Sequence, residues 1–484
     1  MTAEANPTTA GPARASGADG EGVSKGAEPV NDRREVFGWM MYDWACSVFN
    51  TTVVTTLLGP YLTDLAQQAV GRNGVVFTLG PLPDITAESF FPLCVGLSVF
   101  LQVFLLPVLG ALADYSRLKK HMMAAFCYGG VVATCLLFFL TRSVFVLGGG
   151  LFVVANLCFG AAMVFYNSFL PVITTEDRRD RVSSRGFALG YLGGGLLLAA
   201  NLALITSAPR LGLSTELAVR LCLLSAGVWW GGFALITFFS LRQRGAARAL
   251  PAGKSYLTVG FSELFVTFRE LRRLPHTLRY LACYLFYNDG IQTVITMAAV
   301  LIEQELFKAR GLEPDRAFLV GLILVIQFSA IAGALLFERA AALVGTKRAI
   351  LVSLAVWSGV VVYAYAFLQT TTQAWALGAI IAVVLGGSQA LSRSLFSRMI
   401  PRGREASFFS IYEISERGTS WVGPIVFYLV ISLTGSYRQA VLSLIVFFVV
   451  GMLGLYFTDT DRAIHDAGNR LPEEVPQEEV DSRQ

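Results

Sequence analysis

Two aspartates, Asp43 and Asp289, stand inside long apolar stretches, each beside aromatic residues in Tyr42-Asp43-Trp44 and Tyr287-Asn288-Asp289. A carboxyl taken from water into hydrocarbon is costly, so such residues usually have partners and commonly carry ions or protons across a membrane. The chemistry within their reach is to take up and release a proton. The plainer alternative is that either one sits in a solvated vestibule or on a backbone amide. Other chemistries are missing from the sequence. It has no Gly-x-x-x-x-Gly-Lys-Ser/Thr segment for a nucleotide, and its three histidines, His121, His276 and His465, fall outside the apolar stretches. There is no His-Glu-x-x-His, no Ser/His/Asp arrangement and no metal-ligand spacing. The glycines Gly186, Gly190, Gly193, Gly194 and Gly195 follow no strand, so they suit close helix packing and not a dinucleotide. These absences argue against an enzyme, a metal site or a cofactor.

What must position the aspartates is a membrane bundle. The 484 residues are 54% hydrophobic and 15% charged, against about 25% charged in soluble proteins. Apolar segments of roughly twenty residues, the length that crosses hydrocarbon, follow one another with short polar breaks. Only helices satisfy their own backbone groups there one segment at a time, and the alternating pattern of barrel strands is absent. The expected fold is all-α, with twelve spans over 36–66, 87–113, 122–140, 145–173, 185–206, 218–241, 278–302, 317–341, 349–368, 374–400, 408–433 and 440–457. These are numbered span 1 to span 12 in chain order.

Lys and Arg set the orientation. One set of loops holds Arg33, Arg34, Arg117, Lys119, Lys120, Arg178, Arg179, Arg181, the basic stretch from Arg242 to Arg273, Lys347, Arg348, Arg398, Arg402 and Arg404. The other holds Arg72, Arg142, Arg210, Lys308, Arg310, Arg316 and Arg438. Both termini are therefore expected in the cytoplasm, with the protein in the cytoplasmic (inner) membrane. The net charge of +4 is scattered over these loops, which points away from nucleic acid. The seven cysteines fall singly inside apolar segments and read as packing residues.

The longest basic connection divides the chain into a bundle over 35–241, a linker over 242–276 and a bundle over 277–458, with a disordered tail over 1–34 and a polar tail over 459–484. In the linker, Leu257, Phe261, Leu264, Phe265, Phe268 and Leu271 recur at helical spacing opposite Glu263, Arg269 and Glu270. That is the pattern of a helix lying in the membrane interface.

The halves echo one another, as in duplicated transporters. Tyr42-Asp43 in span 1 matches Tyr287-Asn288-Asp289 in span 7, and Gly110-Ala-Leu-Ala-Asp114 with Arg117, Lys119 and Lys120 matches Gly333-Ala-Leu-Leu-Phe-Glu338 with Lys347 and Arg348. Tyr166-Asn167-Ser168 before Pro171 matches Arg393-Ser394 before Pro401, and Arg185-Gly186 matches Arg417-Gly418. All four matches keep the same order in each half. The sequence here resembles the major facilitator superfamily, whose loops after spans 2 and 8 carry a Gly-x-Leu-Ala-Asp pattern with trailing basic residues. More narrowly, Trp39-Met-Met-Tyr-Asp-Trp-Ala-Cys-Ser-Val-Phe49, Tyr287-Asn-Asp-Gly-Ile-Gln-Thr293 and Gly387-Ser-Gln-Ala-Leu-Ser-Arg393 look like the vacuole-effluxer-like branch, relatives of the autophagy-related vacuolar amino-acid exporter. Cys46 stands where that first block usually has Asn.

The resemblance implies two pseudo-symmetric six-helix bundles with spans 1, 4, 7 and 10 around a central cavity. It adds Asn50, Tyr166, Asn167, Gln292, Gln389 and Arg393 to Asp43 and Asp289 as candidates for solute and proton contacts. A fixed cation at Arg393 suits the carboxylate of an amino-acid-like solute, or pairs with Asp43 or Asp289, or bridges a gate near the cytoplasmic end. Asp114, Arg117, Lys119, Arg185, Glu338, Glu413, Glu416 and Arg417 are expected to form the ion pairs of a cytoplasmic gate, the alternative being a simple interfacial charge cluster. The expected function is secondary active transport of a small polar solute, with amino-acid efflux coupled to protons as the family-implied form. Its partners are then the solute, protons and lipid, with no nucleotide. The alternative from another class is a membrane enzyme, or a scaffold or receptor on the same fold.

Overall fold

A backbone N–H inside hydrocarbon must find a carbonyl on its own segment, so each crossing is a helix, and several are entered through a polar cap. Thr86 and Ser89 form a capping box ahead of span 2, Thr370 and Gln373 form one ahead of span 10, and Ser214 accepts from the Leu217 N–H at the start of span 6. Asp32 accepts from the N–H groups of Arg34 and Glu35 at the start of span 1. The Glu35 N–H, ahead of Arg242, holds the Asp32 carboxyl below the usual carboxylate range.

The computed structural model describes residues 30–72, 74–78, 80, 84–243, 256–313, 316–417 and 422–475, the side chains of 256–264 and 316–317 excepted. Most of the expected N-terminal tail, Arg244, Arg248, Lys254, Gly418 and the last residues of the C-terminal tail lie outside the described residues. Among the described residues, ten helices are long and apolar enough to cross a membrane, including Ala87–Tyr115 (span 2), Arg179–Ser207 (span 5), Phe318–Val344 (span 8) and Thr371–Arg398 (span 10). Spans 1 and 11 make twelve. Span 1 runs Arg33–Val48, passes through a π-helical stretch Phe49–Leu57 and continues as Leu58–Val70. The π-helical stretch falls on Thr51-Thr-Val-Val-Thr-Thr56, a β-branched run in which the Thr51 hydroxyl bonds the Ser47 carbonyl and the Thr56 hydroxyl the Thr51 carbonyl. Such side chains crowd a regular helix, and their hydroxyls compete for its carbonyls. Span 11 comprises Glu405–Arg417 and Val422–Thr434.

The buried side chains form one cluster from Trp39 to Leu241, joined by Ala406, and a second from Leu271 to Ile464. Each belongs to one six-helix bundle. The described chain ends and the linker lie on one face, here called the linker face. There Lys120 bonds the Leu241 carbonyl, Thr277 the Met399 carbonyl, and Lys347 the Thr458 carbonyl.

Three features depart from the sequence reading. Span 5 begins at Arg179 and span 11 at Glu405, so Arg179, Arg398 and Arg404, read as loop cations, are all buried. Arg179 and Arg398 are covered by the other bundle and Arg404 meets Glu270 of the linker helix, so these polar span ends do not mark exposed loops. A two-stranded ribbon pairs Val75–Phe77 with Ile85–Thr86, where no strand was expected. The start of the C-terminal tail is docked: Thr460–Asp466 is helical, and the Asn469 amide donates to the carbonyls of Arg398 and Ile400. The linker helix, Tyr256–Arg273, covers Thr267 and Leu271 while Phe265 and Phe268 stay exposed. Leu257, Phe261, Glu263 and Leu264 of the expected pattern fall outside the described side chains.

Candidate functional site

Arg393 sits five residues before the end of span 10 and is 1% exposed. Burying a guanidinium demands a full set of acceptors, and the opposite bundle supplies them. Nη2 lies 3.1 Å from Oδ2 of Asp43 in span 1 and 3.0 Å from the Ser183 carbonyl in span 5. Nε donates to the Ser183 hydroxyl at 2.9 Å, and Nη1 faces Oδ1 of Asp43 and of Asn167 at 3.5 and 3.4 Å. The rings of Trp39, Tyr166 and Phe187 lie 4.9, 5.5 and 4.2 Å from its carbon Cζ, adding cation–π attraction in a dry setting. Trp39 is held flat against Tyr166, with centroids 4.4 Å apart, and donates its indole N–H to the Tyr166 carbonyl. Gly186 makes the pair possible, since a Cβ there would come 2.6 Å from Oδ2 of Asp43.

Asn167 extends the cluster back into the second bundle. Its oxygen takes the guanidinium while its nitrogen donates to Oε1 of Glu413 at 2.6 Å, and Arg417 donates to Oε2 of Glu413 at 3.2 Å. Arg417 in turn lies over the Phe159 ring. Farther from the linker face, the Tyr191 hydroxyl donates to Gln389 at 2.7 Å.

Toward the linker face the bundles are stitched together. Ser183 donates to the Ala390 carbonyl, and Arg179 to the Ser397 carbonyl. Arg398 lies 2.8 Å from Asp180, and Thr346 donates to the same Asp180 oxygen at 2.6 Å. On one flank, Asp114 of span 2 accepts from the Ala406 N–H, the Ser407 N–H and the Ser407 hydroxyl at 3.0, 2.8 and 2.7 Å. It therefore caps span 11 of the opposite bundle, where a carboxylate meets free N–H groups and the positive end of the helix dipole. On the other flank, Glu338 of span 8 faces Arg185 and Arg181 of span 5 at 3.5 and 3.8 Å, all more open to solvent.

The sequence-derived candidates are thus divided. Asp43, Tyr166, Asn167 and Arg393 meet in one buried cluster, and Glu413 and Arg417 join it through Asn167. Gln389 is bonded to Tyr191, Asn50 is exposed, and Gln292 is half-buried, its carbonyl accepting from Thr296. Asp289 stands apart. One of its oxygens accepts from the Gly423 N–H of span 11, in its own bundle, at 2.8 Å, and the other is buried with no hydrogen-bond partner among the described residues. Of the expected gate set, Lys119 lies 3.9 Å from Asp114, Arg117 is exposed and takes no part in these bonds, and Glu416 offers its backbone carbonyl to Asn288. Ser183, Asp180, Arg179, Arg398 and Tyr191 were missed. The spacing Arg179, Ser183, Gly186, Gly190 places one polar and small face on span 5, a signal that pointed to them.

The sequence matches the family described as "Vacuole effluxer Atg22 like" over residues 31–468. It is 30% identical over 438 residues, 90% of this chain and 97% of the other, to a Bacillus subtilis protein named uncharacterized MFS-type transporter YxiO. It is 24% identical over 554 residues, 91% of this chain and 92% of the other, to Emericella nidulans autophagy-related protein 22-1. Among solved structures, the Escherichia coli fucose:proton symporter matches with a TM-score of 0.64 at 12% identity, over 88% of this chain and 98% of that one, a likeness of fold.

Proposed function

The chain belongs to the family of Atg22-like vacuole effluxers, transporters of the major facilitator superfamily, and from that premise we propose that it exports a small polar solute of the amino-acid class by alternating access coupled to protons. The linker face, which carries the basic loops, is the cytoplasmic face of the cytoplasmic membrane. The state described above is then the one shut to the cytoplasm, with Asp114, Asp180, Arg398 and Glu338 holding the two bundles together. The observation that carries the reading is the buried Asp43–Arg393 pair, which joins the first span of one bundle to the tenth span of the other.

Removing one partner from a buried pair costs about 3–5 kcal/mol, because the other charge is left uncompensated. A proton on Asp43 withdraws the counter-charge from Arg393 while leaving Ser183, Asn167 and the three rings in place. Arg393 is then free to receive a solute carboxylate, and the bundles to part at the linker face. Binding a proton and binding a carboxylate thus act on one guanidinium, which links the two events. Asp289, held on a backbone amide of its own bundle, is the secondary titrating group.

The test uses purified protein in liposomes and radiolabelled neutral amino acids. Wild type should accumulate solute when a pH gradient is imposed and should exchange solute without one. Asp43→Asn should keep the exchange and lose the accumulation. Full gradient-driven accumulation by Asp43→Asn rejects the coupling, and absence of exchange with every amino acid rejects the substrate class.

A further inference from the structure

A groove of about 500 Å³ opens on the flank where the bundles meet, walled by Phe37 and Met40 of span 1, Leu189 and Leu192 of span 5, and Ile331 and Leu335 of span 8. Its surface is apolar at one end, and Arg185, Glu338 and Arg339 line it at the linker-face end. Half of the Phe37 side chain and more than a third of Leu335 are uncovered by protein. Arg181, which is exposed, also reaches Glu338. Arg181 and Arg185 thus share the one carboxylate while Arg339 stands on the groove wall. Three arginines therefore face a single acid, an excess of two positive charges beside an apolar trough that runs along the membrane-crossing direction. Water does not suit the trough and an acyl chain does. Among the described residues no other carboxylate lies within ion-pair distance of these arginines, which stand near the linker-face ends of spans 5 and 8, where a bilayer would bring its phosphates.

We propose that this groove binds an anionic phospholipid of the leaflet at the linker face, its acyl chain along spans 1, 5 and 8 and its phosphate between Arg185 and Arg339. Those two arginines belong to different bundles. The phosphate thus adds a second bridge beside Arg185–Glu338, and the bound lipid favours the state shut at the linker face. A zwitterionic lipid fills the trough but brings no net charge to the arginines. The inference concerns the flank and not the Arg393 cluster, so it stands or falls independently of the solute and of proton coupling.

The test compares phosphatidylglycerol and phosphatidylcholine with identical acyl chains, added to the full-length protein in detergent, with thermal unfolding as the readout. Each uncompensated arginine near a membrane surface is worth roughly five-fold in lipid affinity, so half-saturation by phosphatidylglycerol should come at a concentration roughly 30-fold lower. Arg185→Gln combined with Arg339→Gln should abolish that preference. Leu335→Trp, which fills the trough and leaves every charge in place, should weaken the response to both lipids, and it serves if the double variant fails to fold. Equal responses to the two lipids in wild type overturn the proposal, as does a preference that survives both variants. Soluble glycerol phosphate reproducing the full shift also overturns it, since the site would then be a free-phosphate site with no need of the trough.

Discussion

Asp43 and Asp289 occupy matching places in the two halves, yet they have become different devices. Asp43 looks across the interface: it meets Arg393 of the other bundle at 3.1 Å, with Gly186 cleared away to let the carboxylate approach. Asp289 looks inward: it takes one backbone N–H from Gly423, and its other oxygen has no partner among the described residues. The lesson is that a duplicated position keeps its residue type while its partner decides its work. A charge bound across a moving interface reports on the relative position of the bundles. A charge bound within one bundle moves with it and reports on nothing outside.

A second pair divides the same way. Asp114 and Glu338 end matching segments after spans 2 and 8, but Asp114 grips two backbone N–H groups and a hydroxyl at the start of span 11. Glu338 holds two solvent-facing arginine side chains. Helix backbone is a fixed target, whereas exposed side chains must be ordered to be held, so the first contact is the stronger.

These contrasts can be broken in order of size. The largest expected effect is that of Arg393→Ala or Asp43→Ala, each stranding its partner and weakening the shut state by about 3–5 kcal/mol, which is roughly a hundred-fold or more in population. The double variant should lose less than the sum of the two, and strict additivity would show that the groups do not work as a pair. Next comes Asp114→Ala, which removes the cap and should cost about 2 kcal/mol, read as a larger share of the long separation between spin labels at Arg117→Cys and Arg348→Cys. A loss no greater than that of Glu338→Ala would erase the contrast between the two flanks.

Asp289→Asn should reduce gradient-driven transport by only a few-fold, since an amide oxygen still accepts from Gly423. A defect as deep as that of Asp43→Asn would make the two carboxylates equivalent after all. The smallest effect is expected from Glu338→Gln, within about 1 kcal/mol for an exposed pair and fading as salt rises.

Much of this was legible beforehand, and what was not has a physical cause. The spans follow from apolar length, and the paired motifs from the repeat, because both are properties of contiguous sequence. Arg393 was seen as a cation with three possible roles, and geometry gives it Asp43. For Asp289 the plainer alternative, a carboxylate on a backbone amide, describes what is found. Partners could not be read, since Ser183 and Asp180 reach Arg393 and Arg398 only once the two bundles close on each other. Charge counting also misplaced Arg179, Arg398 and Arg404. Basic residues near a span end normally mark an exposed loop, but here the opposing bundle pairs with Arg179 and Arg398, and the linker helix with Arg404. The exposed Arg117 and Arg348 are cases where the count and the structure agree.

The central claim is that the Asp43–Arg393 bond keeps the linker face shut. It is tested most directly by spin-label distances between Arg117→Cys and Arg348→Cys, one exposed site on each bundle, in a background with the seven native cysteines replaced. Asp43→Asn, which mimics the protonated carboxyl, should move most of the population to a longer separation than in wild type. An unchanged distance distribution in Asp43→Asn, with the protein folded, would contradict the account.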